Sequence, residues 1–456
     1  MVTTIDEGEP APRALRPGRR ELLGAGLAIV AGSAFDPVRA VASSGFDWRQ
    51  CAGQHLEIVW QRSADVEHLQ SHAAEFRELT GIDVAWDVAP EQQYRQKLVI
   101  EFNSGKPSFD VCYLAYTSQK RLFGRGKWLL DLRPLMADAS VTAPDFDWAD
   151  FPATSVAAAT QADGRVDTLP ITFGYNILMW NKAMFRAKGL SCPTDFPSLL
   201  AAAKALHDPK NGVSGFVGRG MKNANTPMWT GFLMGYGVEP VAADGTLLTD
   251  GAASVDAASL YQTLDRDYGP PGVVGYNWYE CQTSFMLGRA AIYLDTSTIA
   301  TKVNDPTVSR IADNVGYAVF PAGPKVRRAP TFGDGLGIAP GSKRQTAGWL
   351  FLQWATGKTM QARQFISGAG APARSSAFAA AKAIPPRSTA EAEWLDAVTA
   401  SRDIAWPAMP DIVAVNEFRD VYGTALANML GGADPQAELR KATAIFKGVY
   451  ERTEKS

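Results

Sequence analysis

The chain has 456 residues, 46% of them hydrophobic and 20% charged, so it is long enough for two domains and too apolar to stay disordered. Lys and Arg number 45 against 47 Asp and Glu; the net charge of −2 gives no general attraction to nucleic acid or to an anionic membrane, and neither is expected as a partner. At the N-terminus, Arg19 and Arg20 precede an apolar stretch from Leu22 to Phe35 and a small-x-small site at Ala40-Val41-Ala42. This order reads as a cleaved export signal over residues 1–42. The stretch falls short of the roughly 20 residues that span a bilayer, so a free periplasmic protein is expected. The paired arginines resemble a twin-arginine signal, with Gly18 where Ser or Thr is usual.

After the signal, His55–Trp60 reads as a strand, and Val66, Leu69, Ala73, Phe76 and Leu79 recur at helical spacing until Gly81. Ile82, Val84, Trp86 and Val88 alternate as a second strand. Tyr94, Leu98 and Phe102 mark a second helix ending near Gly105, and Phe109–Leu114 is a short strand of buried type. The β-α-β-α-β order implies an open, mostly parallel α/β sheet, whose ligands bind beyond the carboxyl ends of the strands. That places Arg62 and Tyr116 on one candidate wall, with Ser63 read as the cap of the first helix.

Further on, the apolar run through Pro170–Trp180 is too long for one strand's share of a single sheet. Trp180 and Phe185 are assigned to the core, Tyr175 to the neighbourhood of a cleft. The run Phe285–Asp295 reads as a helix, a Gly288-Arg289 turn and a short apolar strand ending in a carboxylate. Gly333, Gly335 and Gly337 alternate on one face of a strand, leaving room for another backbone or a ligand, with Asp334 between two of them. A helix follows over Gln345–Thr356, and the remainder is helical to Tyr450 with breaks at Pro372, Pro385-Pro386 and Pro407–Pro410.

Several of these segments, in this order, resemble the extracellular solute-binding proteins of ABC importers, in the carbohydrate and polyol family that includes maltose-binding proteins. They are Gly164–Phe185, with Pro170 and Tyr175-Asn176 ahead of Asn181-Lys182; Phe285–Asp295; Val315–Pro324 with Phe332–Pro340; and Ala371–Ser375. The resemblance implies a type II periplasmic-binding-protein fold, two lobes of mostly parallel sheet flanked by helices with a ligand cleft between them. It implies an N-terminal lobe of residues 43–172 plus 333–357 and a C-terminal lobe of 173–332 plus 358–456. It further implies a monomer that captures a small carbohydrate or sugar alcohol by hinge closure and delivers it to permease subunits, with no enzymatic activity.

A polyhydroxyl ligand calls for carboxylates, amides and guanidiniums together with aromatic faces. The expected contacts are Arg62, Tyr116 and Asp334 from the first lobe or hinge, and Tyr175, Arg219, Trp229, Trp278 and Asp295 from the second. Arg374 is expected to assist lobe closure. The competing reading is a secreted carbohydrate-active hydrolase, which would set Asp295 and Asp334 about 5 to 10 Å apart across a sugar. No cofactor or metal is expected: His68 and His72 lack an accompanying His-Glu-x-x-His pattern, and Cys51, Cys112, Cys192 and Cys281 show no Cys-x-x-Cys spacing. The four cysteines permit three pairings, among which the sequence does not choose.

Overall fold

The alternation of apolar strand and amphipathic helix at the start of the chain folds much as it reads. In the computed structural model, which describes residues 45–454, β1 (His55–Gln61) pairs in parallel with β2 (Asp83–Ala89) and β3 (Val111–Ala115). The export signal expected over residues 1–42 lies outside the described residues. The single helix expected after β1 is two, Ala64–Ser71 and Ala73–Thr80, parted at His72; Val66, Leu69 and Phe76 are buried all the same. Gly81 ends the second with a φ of 72°, a left-handed conformation that costs glycine little. Ser63 precedes the first without capping it; its hydroxyl donates to the carbonyl of Gln61 instead.

Two long strands then link this sheet to another. β7 (Ala329–Ile338) lies antiparallel between β3 and β4 (Leu169–Asn181). β4 stays beside β7 as far as Tyr175, opposite Thr331. From Asn176 onward it pairs with β5 (Ile292–Thr296), and from Ile177 with β6 (Val315–Val319). One strand of 13 residues thus serves two sheets in turn. At two of the expected proline breaks the chain adds the short strands β8 (Ala371–Pro372) and β9 (Ala405–Pro407), which pair with β4 and β7.

Apolar burial follows the same division. One cluster surrounds the first sheet, joining Ile58, Val111 and Leu336 to Leu350 and Phe351 of the helix Gln345–Ala355. The second sheet is covered on both faces, as strand periodicity requires of a sheet between helices. Leu178, Ile292 and Leu294 point into one cluster, while Ile177, Met179 and Tyr293 point into another. The former receives Phe418 and Tyr422 from the helix Val415–Leu430 and Phe446 from Pro435–Glu454. All four cysteines are free thiols, and among the described residues no helix is long and apolar enough to cross a membrane.

Trp229, on the helix Thr226–Gly235, is fully buried in this cluster. Its ring stacks on Tyr422 at 5.4 Å and its Nε1 donates to the Ser254 carbonyl at 3.1 Å. Trp229→Ala should therefore lower the unfolding free energy by about 3 to 5 kcal/mol, read from urea denaturation. An unchanged midpoint would remove Trp229 from the core.

Candidate functional site

The carboxyl ends of β1 and β3 open beside the middle of β7. In register, Asp334 lies opposite Ala115 on one side and Thr172 on the other. The Tyr113 hydroxyl sits against Asp334 and accepts from Gln61 Nε2 at 3.2 Å. Asp65, in the first turn of the helix after β1, is 3% exposed. Its Oδ1 accepts from the Val66 amide at 3.0 Å, whereas its Oδ2 and the Gln61 Oε1 are buried without a partner. Burial pushes the Asp65 carboxyl up to about 6. Burial, and then the nearby charge of Asp65, push Asp334 up to about 8.

Tyr116 begins the helix Tyr116–Gly126 and bonds Thr168 Oγ1 through its hydroxyl at 3.0 Å. Its ring explains Gly335: a Cβ there would fall 2.3 Å from the Tyr116 hydroxyl oxygen. At Gly333 a Cβ would fall 2.4 Å from the Phe173 ring. The space left by these glycines is thus taken by the protein's own aromatic rings.

On the second sheet, the bridge between Val217 and Tyr293 carries the segment before Arg219 alongside β5. Arg219 grips Asp295 with both arms of its fork, Nε to Oδ2 at 2.8 Å and Nη2 to Oδ1 at 2.5 Å. Asp295 is 1% exposed and receives two more donors, the Tyr293 hydroxyl and the Thr296 amide, each at 2.7 Å. Its oxygens are thereby occupied, and the residue acts on Arg219. Asp295, one of the two carboxylates that a hydrolase would use, has no oxygen left to move a proton to or from a sugar.

A third group joins the two sides. The helix Glu91–Asn103 places Glu91 against Arg95 at 2.7 Å. Burial raises the Glu91 carboxyl, but Arg95, Arg419 and Arg219 outweigh it and hold Glu91 below its ordinary range. Arg419, on the helix Val415–Leu430, is 7% exposed and donates from Nε and Nη2 to the carbonyl of Asn223 at 2.9 and 2.5 Å. Burial, then repulsion from Arg95, bring its guanidinium down to about 9. Asn223 holds the left-handed region with φ 71°, unusual for a residue bearing a Cβ. Arg95, Asn223, Asn416 and Arg419 line a cavity of about 350 Å³. A larger hollow of about 730 Å³ is bordered by Pro270, Pro271, Tyr276 and Tyr279 and includes none of these charged groups.

Of the residues expected from sequence, Arg219 and Asp295 are brought together, and Asp334 and Tyr116 share the other wall. Trp278 opens the helix Trp278–Met286, and its carbonyl accepts from the Tyr293 hydroxyl at 3.1 Å, next to the Asp295 pair. The rest stand elsewhere. Arg62 is exposed, and its backbone amide donates to Ala89. Tyr175 is buried in the apolar cluster that contains Met179. Trp229 belongs to the core, where stacking on Phe418 and Tyr422 and the Ser254 bond engage its ring and its donor. Arg374 is buried, donating to the carbonyls of Thr356 and Asp147 at 2.6 and 2.7 Å, which makes it a tie between loops. Sequence reasoning missed Asp65, Glu91, Arg95 and Arg419. Only the four-residue spacing of Glu91 and Arg95 gave a signal, and that spacing is common to surface helices.

The profile of the bacterial extracellular solute-binding proteins matches residues 63–362. The chain is 28% identical over 418 residues to the erythritol/L-threitol-binding protein of Mycolicibacterium smegmatis, covering 87% of this chain and 86% of that protein. It is 25% identical over 338 residues to a probable amino-acid ABC transporter periplasmic-binding protein of Sinorhizobium fredii, covering 72% and 74%. The fold is similar to the ABC transporter solute-binding protein of Agrobacterium radiobacter K84 in complex with ribitol, with a TM-score of 0.79 and 26% identity over 88% of this chain and 99% of that one. A two-lobe α/β fold that gathers buried charges between its sheets, matched over most of its length by this profile, makes the chain a member of the bacterial extracellular solute-binding protein family.

Proposed function

We propose that the chain captures a small uncharged polyhydroxyl compound, a sugar alcohol or monosaccharide, in the periplasm and hands it unchanged to the permease subunits of an ABC transporter. In this reading it works as a monomer. Residues 43–172 plus 333–357 form one lobe and 173–332 plus 358–456 the other, and closure about the β4 and β7 crossings traps the ligand. The change of sheet within β4 supports that division.

The charge balance between the lobes carries the ligand assignment. Arg95, Arg219 and Arg419 face Glu91 and Asp295, with Asp65 titrating near 6 and Asp334 near 8. At neutral pH three cations meet three anions, Asp334 being protonated. A neutral ligand preserves this balance, and its hydroxyls donate to the unpartnered Asp65 Oδ2 and Gln61 Oε1. An amino acid needs a guanidinium for its carboxylate, yet Glu91 and Asp295 already engage Arg95 and Arg219, and Arg419 is turned to the Asn223 carbonyl. The names of the erythritol/L-threitol and ribitol binders point the same way.

A thermal-shift screen with erythritol, ribitol, mannitol, glucose and the common amino acids tests the assignment. A true ligand at a hundredfold excess over its Kd stabilises by about 2.7 kcal/mol, so one or more polyols should raise Tm. Shifts confined to amino acids would overturn the reading. For the ligand so found, Asp295→Asn should weaken binding at least tenfold, about 1.4 kcal/mol, because Arg219 loses its anchor. Equal affinity by calorimetry would take the Arg219 pair out of the site.

Asp334 gives a pH signature. A carboxyl raised from an ordinary value near 4 to about 8 in the folded state leaves the native protein with more bound protons across that window. Its effect is a loss of stability as pH rises from about 4 to about 8. Asp334→Asn should match wild type in Tm near the acid end and exceed it at the alkaline end. Parallel Tm curves for the two proteins would show that Asp334 ionises as an ordinary surface carboxylate.

A further inference from the structure

Away from the charged groups of the cleft, the two apolar cores touch at a second place. The helix Tyr116–Gly126 is rooted in the first core by Phe123. The helix Pro435–Glu454 is rooted in the second by Leu439, Ala442 and Phe446. Where they meet, Arg121 Nη2 donates to Glu454 Oε2 at 3.2 Å, while Glu454 Oε1 accepts from the Val413 amide at 2.5 Å. Arg125 Nη1 donates to the carbonyl of Thr453, in the last turn of its helix. Asn416 Nδ2 donates to the Ser118 carbonyl at 3.3 Å, and Lys120 lies in the field of Asp411.

The signs are sorted by side. The first-core helix brings Lys120, Arg121 and Arg125; the second core brings Asp411, Glu454 and the negative end of a helix dipole. Glu454 is 15% exposed in its side chain and serves both partners at once, so it is held rather than loosely paired. Apart from the Val413 bond, which anchors Glu454 within the second core, each of these contacts joins an element of one core to an element of the other, and parting the cores would break them together.

We propose that this surface is an electrostatic clasp, centred on Arg121 and Glu454, that biases the protein toward its closed arrangement before ligand arrives and so sets the apparent affinity. The proposal rests on the hinge-closure reading above, and it adds a determinant of affinity that touches no ligand. Apparent affinity scales with the fraction of protein already competent to bind. Ionic strength screens such a clasp when it is exposed to solvent, which makes the binding of an uncharged ligand sensitive to salt although the ligand carries no charge.

The test uses the full-length mature protein, its Glu454→Gln variant and, as a second and milder surface change, Arg121→Gln. Small-angle X-ray scattering of the ligand-free proteins at about 50 and about 500 mM NaCl reads the degree of closure and needs no ligand. Calorimetry with erythritol, ribitol and mannitol reads affinity. The expected result is a wild-type radius of gyration that increases with salt, and variants already expanded at low salt. For whichever polyol binds, Kd should rise about fivefold in the variants, with the salt dependence of wild type lost. Scattering curves that do not change with salt or substitution, with equal affinities, would overturn the clasp. If none of the three polyols binds, the sugar-alcohol assignment fails, while the scattering still decides the clasp.

Discussion

A charge taken out of water must find another charge or a set of hydrogen bonds, and the middle of this protein is arranged by that requirement. Glu91 is the point on which the others converge. It faces Arg95 on its own helix, Arg219 from the segment beside β5 and Arg419 from a helix near the end of the chain. No two of the three guanidiniums share an element: Arg95 pairs with Glu91 within one helix, and Arg219 and Arg419 add to it only when the two sheets stand together. Around it, two of the three cations are fixed by a second acceptor: Arg219 by Asp295, Arg419 by the carbonyl of Asn223. The strained φ of Asn223 fits this picture, since the doubly bonded carbonyl over-determines the backbone there.

The position of this charge cluster follows from strand connectivity. β4 leaves one sheet between Tyr175 and Asn176, and β7 lies beside it as far as Thr331 on the same side of the switch. A change of sheet within a continuous strand leaves a gap between the two layers, bounded by the carboxyl ends of β1 and β3. Ligand sites in open α/β sheets form at such ends because loops diverge there and the backbone amides and carbonyls are no longer used by the ladder. Asp65 and Asp334 occupy this position. Their raised carboxyl pKa values result from being placed where neighbouring apolar strands exclude water but the sheet supplies no cation.

Much of the scaffold was legible in the sequence because periodicity reports burial directly. The apolar spacing from Val66 to Phe76, the alternating run of β2 and the turn at Gly288, whose φ is 72°, each describe a local arrangement that tertiary contacts reinforce. Asp295 was legible too, since a carboxylate directly after an apolar strand must emerge with a partner. Its partner Arg219 stood out through the glycines around it. The role within the pair was not legible: whether Asp295 faces a ligand or holds an arginine depends on Tyr293 and Thr296, whose donors converge only in three dimensions. Asp65, Glu91, Arg95 and Arg419 were hidden because each has an ordinary local role, such as a first-turn acid or one end of a helix ion pair. They are joined by contacts across more than half of the chain. Trp229 erred in the opposite direction: with 12 tryptophans in the sequence, most are needed to fill volume.

The proposed closure has two separable components. In the cleft, cations and carboxylates are matched so closely that a charged ligand would add an uncompensated charge, while a neutral one adds hydrogen bonds to unpartnered acceptors. At the surface, Arg121 and Glu454 sit in a wetter environment where attraction is weaker and depends on ionic strength. On the proposed reading the first component decides what can be held, because desolvated groups discriminate sharply between ligands that satisfy them and ligands that do not. The second acts equally on every ligand, because it touches none. Selectivity and strength of capture would then vary independently under the proposed clasp, since Arg121 and Glu454 touch no group of the cleft.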